Sequence, residues 1–345
     1  MGTFARTLFA WATATLMACG QEPNAAQSVL TPDPERAAQP LRPAGIASNG
    51  EKENGTPLGD EFYANRHTAK RTTGSSTTPV SLLLDSDSFK LITGDGSPVE
   101  GIELQGMGAK TTKLRITSPL DTTTSTGGHD SVIVSLYTVK AETTPGSGRF
   151  DNICGSGVKA IAVQGRYDDH GTRVLGSDDL TFACPNSAIY KCAVDLAYWP
   201  WGDRARYHQA CTRMIRADYC GNGKPFTIDG ILINVEDDFR IQKYDTMTPG
   251  TWTDEAAWSE TGAVCMSHKR LTSSVGLPLV CSMAGYPHVK KCLEDYCSPP
   301  ECEIATAPGA LLRNKSQFLL DVPPASPCLG PCLEDKPLWR DSARR

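Results

Sequence analysis

The chain has 345 residues, with 34 Lys+Arg against 39 Asp+Glu, a formal net charge of −5 and 39% hydrophobic residues. That balance speaks against a nucleic-acid binder working through a strongly basic face. Past the N-terminus no segment is long and apolar enough to cross a bilayer, which takes ~20 residues. Of the 13 cysteines, all but Cys19 fall between Cys154 and Cys332, an even and dense set. Such usage predicts an exported, disulfide-bonded chain rather than a cytosolic thiol or metal protein.

Residues 1–19 open with one cation, Arg6, followed by an apolar run from Leu8 to Met17 and then small residues. That order predicts a signal peptide, since the run is too short for an anchor helix. Leu16-Met17-Ala18-Cys19 resembles the lipobox of bacterial lipoproteins. The resemblance implies lipidation of Cys19, with membrane attachment through several acyl chains, stable where one chain is marginal. Gly20 stands where an aspartate would favour the inner membrane, so the expected location is the outer membrane.

Residues 20–78 are rich in Pro, Ala, Gly, Gln, Asn and Thr and read as a disordered tether, because they offer little apolar surface to bury. Residues 79–147 read as β. "GIELQG" alternates with Ile102 and Leu104 on one face, "KLRIT" with Leu114 and Ile116, and "SVIVSLYTV" is β-branched throughout. Turns are expected at Gly94–Gly96 and Thr126–Gly128.

Residues 148–272 continue with strands "KAIAVQGRY" and "LTFAC" and then the one convincing helix. "FTIDGILINV" suggests a hairpin turning at Asp229-Gly230, with Ile231, Ile233 and Val235 alternating behind it. Residues 273–345 form a loop-like, cysteine-rich tail. The expected fold class is α+β and β-rich, an antiparallel sheet or sandwich followed by a disulfide-stapled domain with one main helix.

Placed on a helix from His208 to Cys220, Tyr207, Cys211, Met214, Ile215, Asp218 and Tyr219 share one stripe, with Arg213, Arg216 and Cys220 opposite. Gly221 or Gly223 would close the helix. Cys211 and Cys220 would then lie about 13 Å apart along the axis, beyond the ~7 Å a disulfide spans. Each is expected to staple the helix to a different partner. Asp218 in the apolar stripe is a candidate buried acid, which requires backbone N–H donors or an arginine.

"TFACPNSAIYKC", "YWPW", "HQACTRMIRADYCGNG", "TIDG" and "DEAAWSETGAVCMSHKR" together resemble the ADYC domain, whose name is the motif Ala217-Asp218-Tyr219-Cys220. The likeness is clear from about Phe150 to Arg270 and looser upstream. It implies an exported, often lipid-anchored bacterial protein and carries over no catalytic residues.

Expected disulfide cysteines are Cys154, Cys184, Cys192, Cys211, Cys220, Cys265, Cys281, Cys292, Cys297, Cys302, Cys328 and Cys332. No C-x2-C pair and no EF-hand loop is present, so neither metal nor cofactor is expected. No G-x-S-x-G or H-E-x-x-H motif occurs either. Tyr198, Trp199, Trp201 and Trp258 are the candidate aromatic contacts for a carbohydrate or peptide, or else core. The leading expectation is a non-enzymatic binding or surface-structural module of the cell envelope. The alternative is a hydrolase using His208 or His268 with Asp218.

Overall fold

A computed structural model describes residues 46–48, 57–85, 89–107, 112–117, 121–174, 176–225, 227, 231–246, 252–266, 270 and 309–317. The chain is β-rich, with antiparallel sheets, two α-helices among the described residues and disulfides that include Cys154–Cys184 and Cys192–Cys211. The fold class read from the sequence is the one observed.

One sheet has nine strands, numbered here in chain order. Its main path runs β12 (Phe150–Asn152), β11 (Val139–Glu142), β8 (Lys113–Ile116), β7 (Ile102–Met107), β2 (Tyr63–Asn65), β16 (Asp179–Ala183), β13 (Ile161–Gln164). The hairpin β3 (Lys70–Thr73) and β4 (Ser76–Pro79) joins it at β7. The period-two pattern decides which face is inward. Ile102 and Leu104 of β7 and Leu114 and Ile116 of β8 are all buried, and Leu104 pairs directly with Leu114. They form a core with Tyr137, Val139, Leu180 and Phe182.

The second sheet has five strands in the order β1 (Ile46–Ser48), β17 (Leu232–Asp237), β20 (Leu312–Ser316), β18 (Thr253–Ser259), β19 (Gly262–Met266), every neighbour antiparallel. Helix α2 (Arg204–Arg216) packs on β18, β19 and β20. Its apolar residues Tyr207, Cys211, Met214 and Ile215 join Ile233, Val235, Trp258 and Leu312 in a second core. A short helix α1 (Ala188–Tyr190), capped by the Ser187 hydroxyl, runs into the π-helical turn Lys191–Asp195. Three further hairpins are β5 (Leu82–Asp85) with β6 (Lys90–Thr93), β9 (Asp121–Gly127) with β10 (Asp130–Leu136), and β14 (Arg166–Tyr167) with β15 (Arg173–Val174).

Four expectations are corrected. The tether does not reach residue 78, because β2 lies inside the nine-stranded sheet between β7 and β16. The C-terminal stretch is not loop alone: β20 is the middle strand of its sheet. The boundary at 147–148 separates nothing, since strands from both sides share one sheet. Strand β17 follows the expected turn and buries Ile233 and Val235, yet its neighbours are β1 and β20, far away in sequence. The turn at Asp229-Gly230 itself lies outside the described residues.

Candidate functional site

Helix α2 ends at Arg216, earlier than the apolar stripe suggests. Ala217 takes the left-handed conformation at φ 51°, its N–H donating to Met214 O, while the Asp218 N–H donates to Arg213 O at 2.9 Å. This pair of bonds is a Schellman ending. Glycine normally holds the left-handed position, because a Cβ there costs ~1–2 kcal/mol. The Ala217 methyl is completely buried in the core, and burial of one such group recovers about 0.8 kcal/mol. Asp218, Tyr219 and Cys220 therefore sit in the turn beyond the helix rather than on it.

The Asp218 carboxylate organises that turn. It accepts from the Asn222 N–H at 3.0 Å, the Gly223 N–H at 2.9 Å and Arg213 Nη1 at 2.5 Å. Asp218 is 0% exposed and Arg213 2%, so the arginine, though opposite the apolar stripe on the helical wheel, is buried. Arg213 also donates to His170 O and to Thr172 Oγ1, which ties the helix end to the β14–β15 turn. Arg216 Nη2 reaches Gly223 O at 2.6 Å from the same side.

Tyr219 faces the five-stranded sheet. Its ring stacks on Trp258 with centroids 5.2 Å apart, and its hydroxyl donates to Glu255 Oε1 and accepts from the Arg270 N–H. Glu255 and Arg270 form a two-pronged ion pair, at 2.9 and 2.7 Å, with both side chains fully buried. The Arg270 guanidinium also donates to Met214 O and Ile215 O, placing a cation at the C-terminal end of α2, where the helix dipole favours one. Asn314 of β20 donates to Glu255 Oε2 and accepts from Trp258 Nε1 at 2.7 Å. Gly262 lets the start of β19 approach the turn: an added Cβ would stand 2.7 Å from Tyr219 O, and its φ is +126°.

Cys192 bonds Cys211, joining the π-helical turn to α2, and Cys154 bonds Cys184. Cys220 and Cys265 are disulfide-bonded too, and since Cys211 is taken by Cys192 its partner is not Cys220. Cys19, Cys281, Cys292, Cys297, Cys302, Cys328, Cys332 and His268 lie outside the described residues.

Asp218 and His208 do not meet. His208 Nε2 lies 3.2 Å from Ile189 O and shares no hydrogen bond with Asp218. Burial, reinforced by the Arg173 charge, pushes the imidazole pKa down to about 3. Among the candidate aromatics, Tyr198, Trp199 and Trp258 are core residues, a correction to the idea of an exposed platform. Tyr198 donates to Asp237 Oδ2 at 2.8 Å, in a loop where the Asp237 carboxylate accepts from Ile241 N–H and Gln242 N–H. Burial raises the Asp237 pKa and holds the Tyr198 and Tyr219 phenols well above the usual range. Trp199 donates to Ser125 Oγ, and the Arg204 guanidinium lies 3.8 Å over its ring. Trp201 alone of the four stays half-buried.

Arg213, Glu255, Arg270 and Asn314 were not singled out by the sequence. Asp218 in an apolar stripe signals that some donor must face it, but nothing marks which one. No curated protein and no solved structure matches the chain. A family model, the ADYC domain, matches residues 96–272, half of the chain and the whole span from β7 to Arg270. With its motif forming the buried turn that closes helix α2, the chain belongs to the ADYC domain family.

Proposed function

We propose that this chain is an exported, lipid-anchored protein of the cell envelope, held at the outer membrane by Cys19, whose ADYC fold is a non-enzymatic binding or surface-structural module. The observation that carries the second half is the bonding of Asp218. The carboxylate is wholly buried and accepts from Arg213 and two backbone amides inside the core, the bonding of a structural acid rather than of a base open to a substrate. His208 is likewise buried and bonded to a carbonyl. The lipid anchor is supported by Leu16-Met17-Ala18-Cys19 and by the cysteine content.

The test is metabolic labelling with an alkyne-bearing palmitate in a bacterium that processes lipoproteins, followed by membrane fractionation. Label that depends on Cys19, found in the outer-membrane fraction, is the expected result. Label retained by Cys19→Ser, or none in the parent, overturns the anchor. Hydrolysis of ester or peptide substrates that is abolished by Asp218→Asn in a still-folded protein overturns the non-enzymatic module.

A further inference from the structure

Between the β14–β15 hairpin and the segment leading into α2 lies a pocket of about 240 Å³. Its walls include Gln164, Arg173, Ser177, Pro200, Trp201 and Ala205, together with the glycines at 165, 176 and 202. Arg173 is the one charged side chain among these lining residues. Its guanidinium bonds only carbonyl oxygens, Gln164 O through Nε and Nη2 and Pro200 O through Nη1. A guanidinium has five N–H donors, so these three bonds leave two unspent. Among the described residues Arg173 has no carboxylate partner, and the aspartates of the neighbouring loops are engaged elsewhere: Asp178 with Arg66, Asp168 with backbone amides. A partly buried cation without a counter-ion is costly unless an anion arrives.

Two further features point the same way. The Ser177 Oγ is shielded from solvent and has no hydrogen-bond partner. Trp201 contributes a half-buried ring, and Gly176 and Gly202 have open space where a Cβ would stand. The volume is below that of drug-sized sites, ~300–1,000 Å³, and suits a single residue.

We propose that this pocket binds a terminal carboxylate borne on a small apolar residue, the C-terminal end of a peptide or a free amino acid, with the carboxylate on Arg173 and Ser177 and the apolar part against Trp201. The inference rests on the binding-module reading and gives it a ligand class. Arginine can meet a carboxylate with two parallel N–H donors, and the amide of the same residue cannot replace that charge.

The test titrates the oxidised, folded protein with N-acetyl-alanyl-alanine, its C-terminal amide, and free alanine, following the arginine Nε–H and tryptophan Nε1–H resonances. Saturable shifts at Arg173 and Trp201 with an acid, and at least about tenfold weaker binding of the amide, are expected. Which of the two acids binds identifies the source. Equal binding of acid and amide, or no saturable shift at millimolar ligand, overturns the proposal. Because Arg173→Met removes bonds to two carbonyls and can unfold the chain, Ala205→Glu serves as the second variant. It sets a carboxylate at the pocket wall in the first helical turn, where an acid is tolerated, and should abolish binding with an unchanged melting temperature. Undiminished binding by a folded Ala205→Glu protein counts against the site. Cleavage of the dipeptide, by contrast, would defeat the non-enzymatic reading and leave the pocket standing.

Discussion

Arg213 and Asp218 form a wholly buried ion pair across the end of helix α2, at 2.5 Å and five positions apart in the chain. The pair spans the break in the helix: Arg213 belongs to the last full turn, and Asp218 to the turn that follows the left-handed Ala217. Removing one partner leaves a buried charge without compensation, at a cost of about 3–5 kcal/mol. Asp218→Ala also frees the Asn222 and Gly223 amides. Urea unfolding should show a loss in that range. A loss below about 1 kcal/mol would mean that the turn holds itself without the carboxylate.

The pH dependence should carry the signature of His208. Its folded-state pKa is depressed to about 3 by burial and by the Arg173 charge, against an ordinary value near 6.5. Between those values the unfolded chain binds a proton that the folded chain refuses. Stability from this group is therefore full above about pH 6.5 and declines as the pH falls towards 3, by up to about 1.4 kcal/mol per pH unit. Asp237 acts in the opposite sense, its raised pKa favouring the folded state while protonated and losing that contribution as the pH rises through its folded value. His208→Gln retains a donor for Ile189 O without titrating. Its unfolding free energy, measured from pH 7 to pH 4, should be flatter than the parent's. Identical slopes would place the titrating group elsewhere.

The disulfide between Cys192 and Cys211 closes a segment of 19 residues. Loop-closure entropy assigns such a cross-link about 3 kcal/mol. The double change Cys192→Ala with Cys211→Ala should lower the urea midpoint accordingly at unchanged m-value. A full-size loss of m would instead signal that α2 comes away from the sheet.

Residues 96–272, the part matching the family, should not fold by themselves. That fragment lacks β2, which sits between β7 and β16, and β20, which sits between β17 and β18. It also leaves Glu255 and Trp258 without Asn314. Expressed with oxidised cysteines, the fragment should give a broad, non-cooperative melt, while residues 57–317 should melt cooperatively. A sharp transition for the shorter piece would show that β2 and β20 are accessories.

How much of this was legible in the sequence follows the apolar pattern closely. Ile102 and Leu104, Leu114 and Ile116, and Ile233 and Val235 alternate and are buried as alternation requires. The missed strands are those whose inward residues are polar or small. On β20 the buried positions are Leu312, Asn314 and Ser316, so "LRNKS" carries one apolar residue where three would announce a strand. On β2 the inward residue is Ala64, and β3 and β4 are exposed almost throughout. The helix end was displaced because Ala217, not a glycine, takes the left-handed position. The ligands of Asp218 come from residues 213, 222 and 223, the first inside the helix and the others beyond it, a closure no helical wheel displays. The aromatic run at 198–201 reads the same whether it faces ligand or core, and only packing separates Trp201 from its neighbours.

The central place of β20 also orders events in time. A ribosome delivers β17 and β18 long before residues 312–316, and until then the two strands face each other across a gap one strand wide. Unpaired edges of that kind invite pairing with other chains. Glu255 and Trp258 meanwhile wait for Asn314 to complete their hydrogen bonds. The last of the described strands in the chain is thus the keystone of the second sheet, and its five residues decide when that sheet can close.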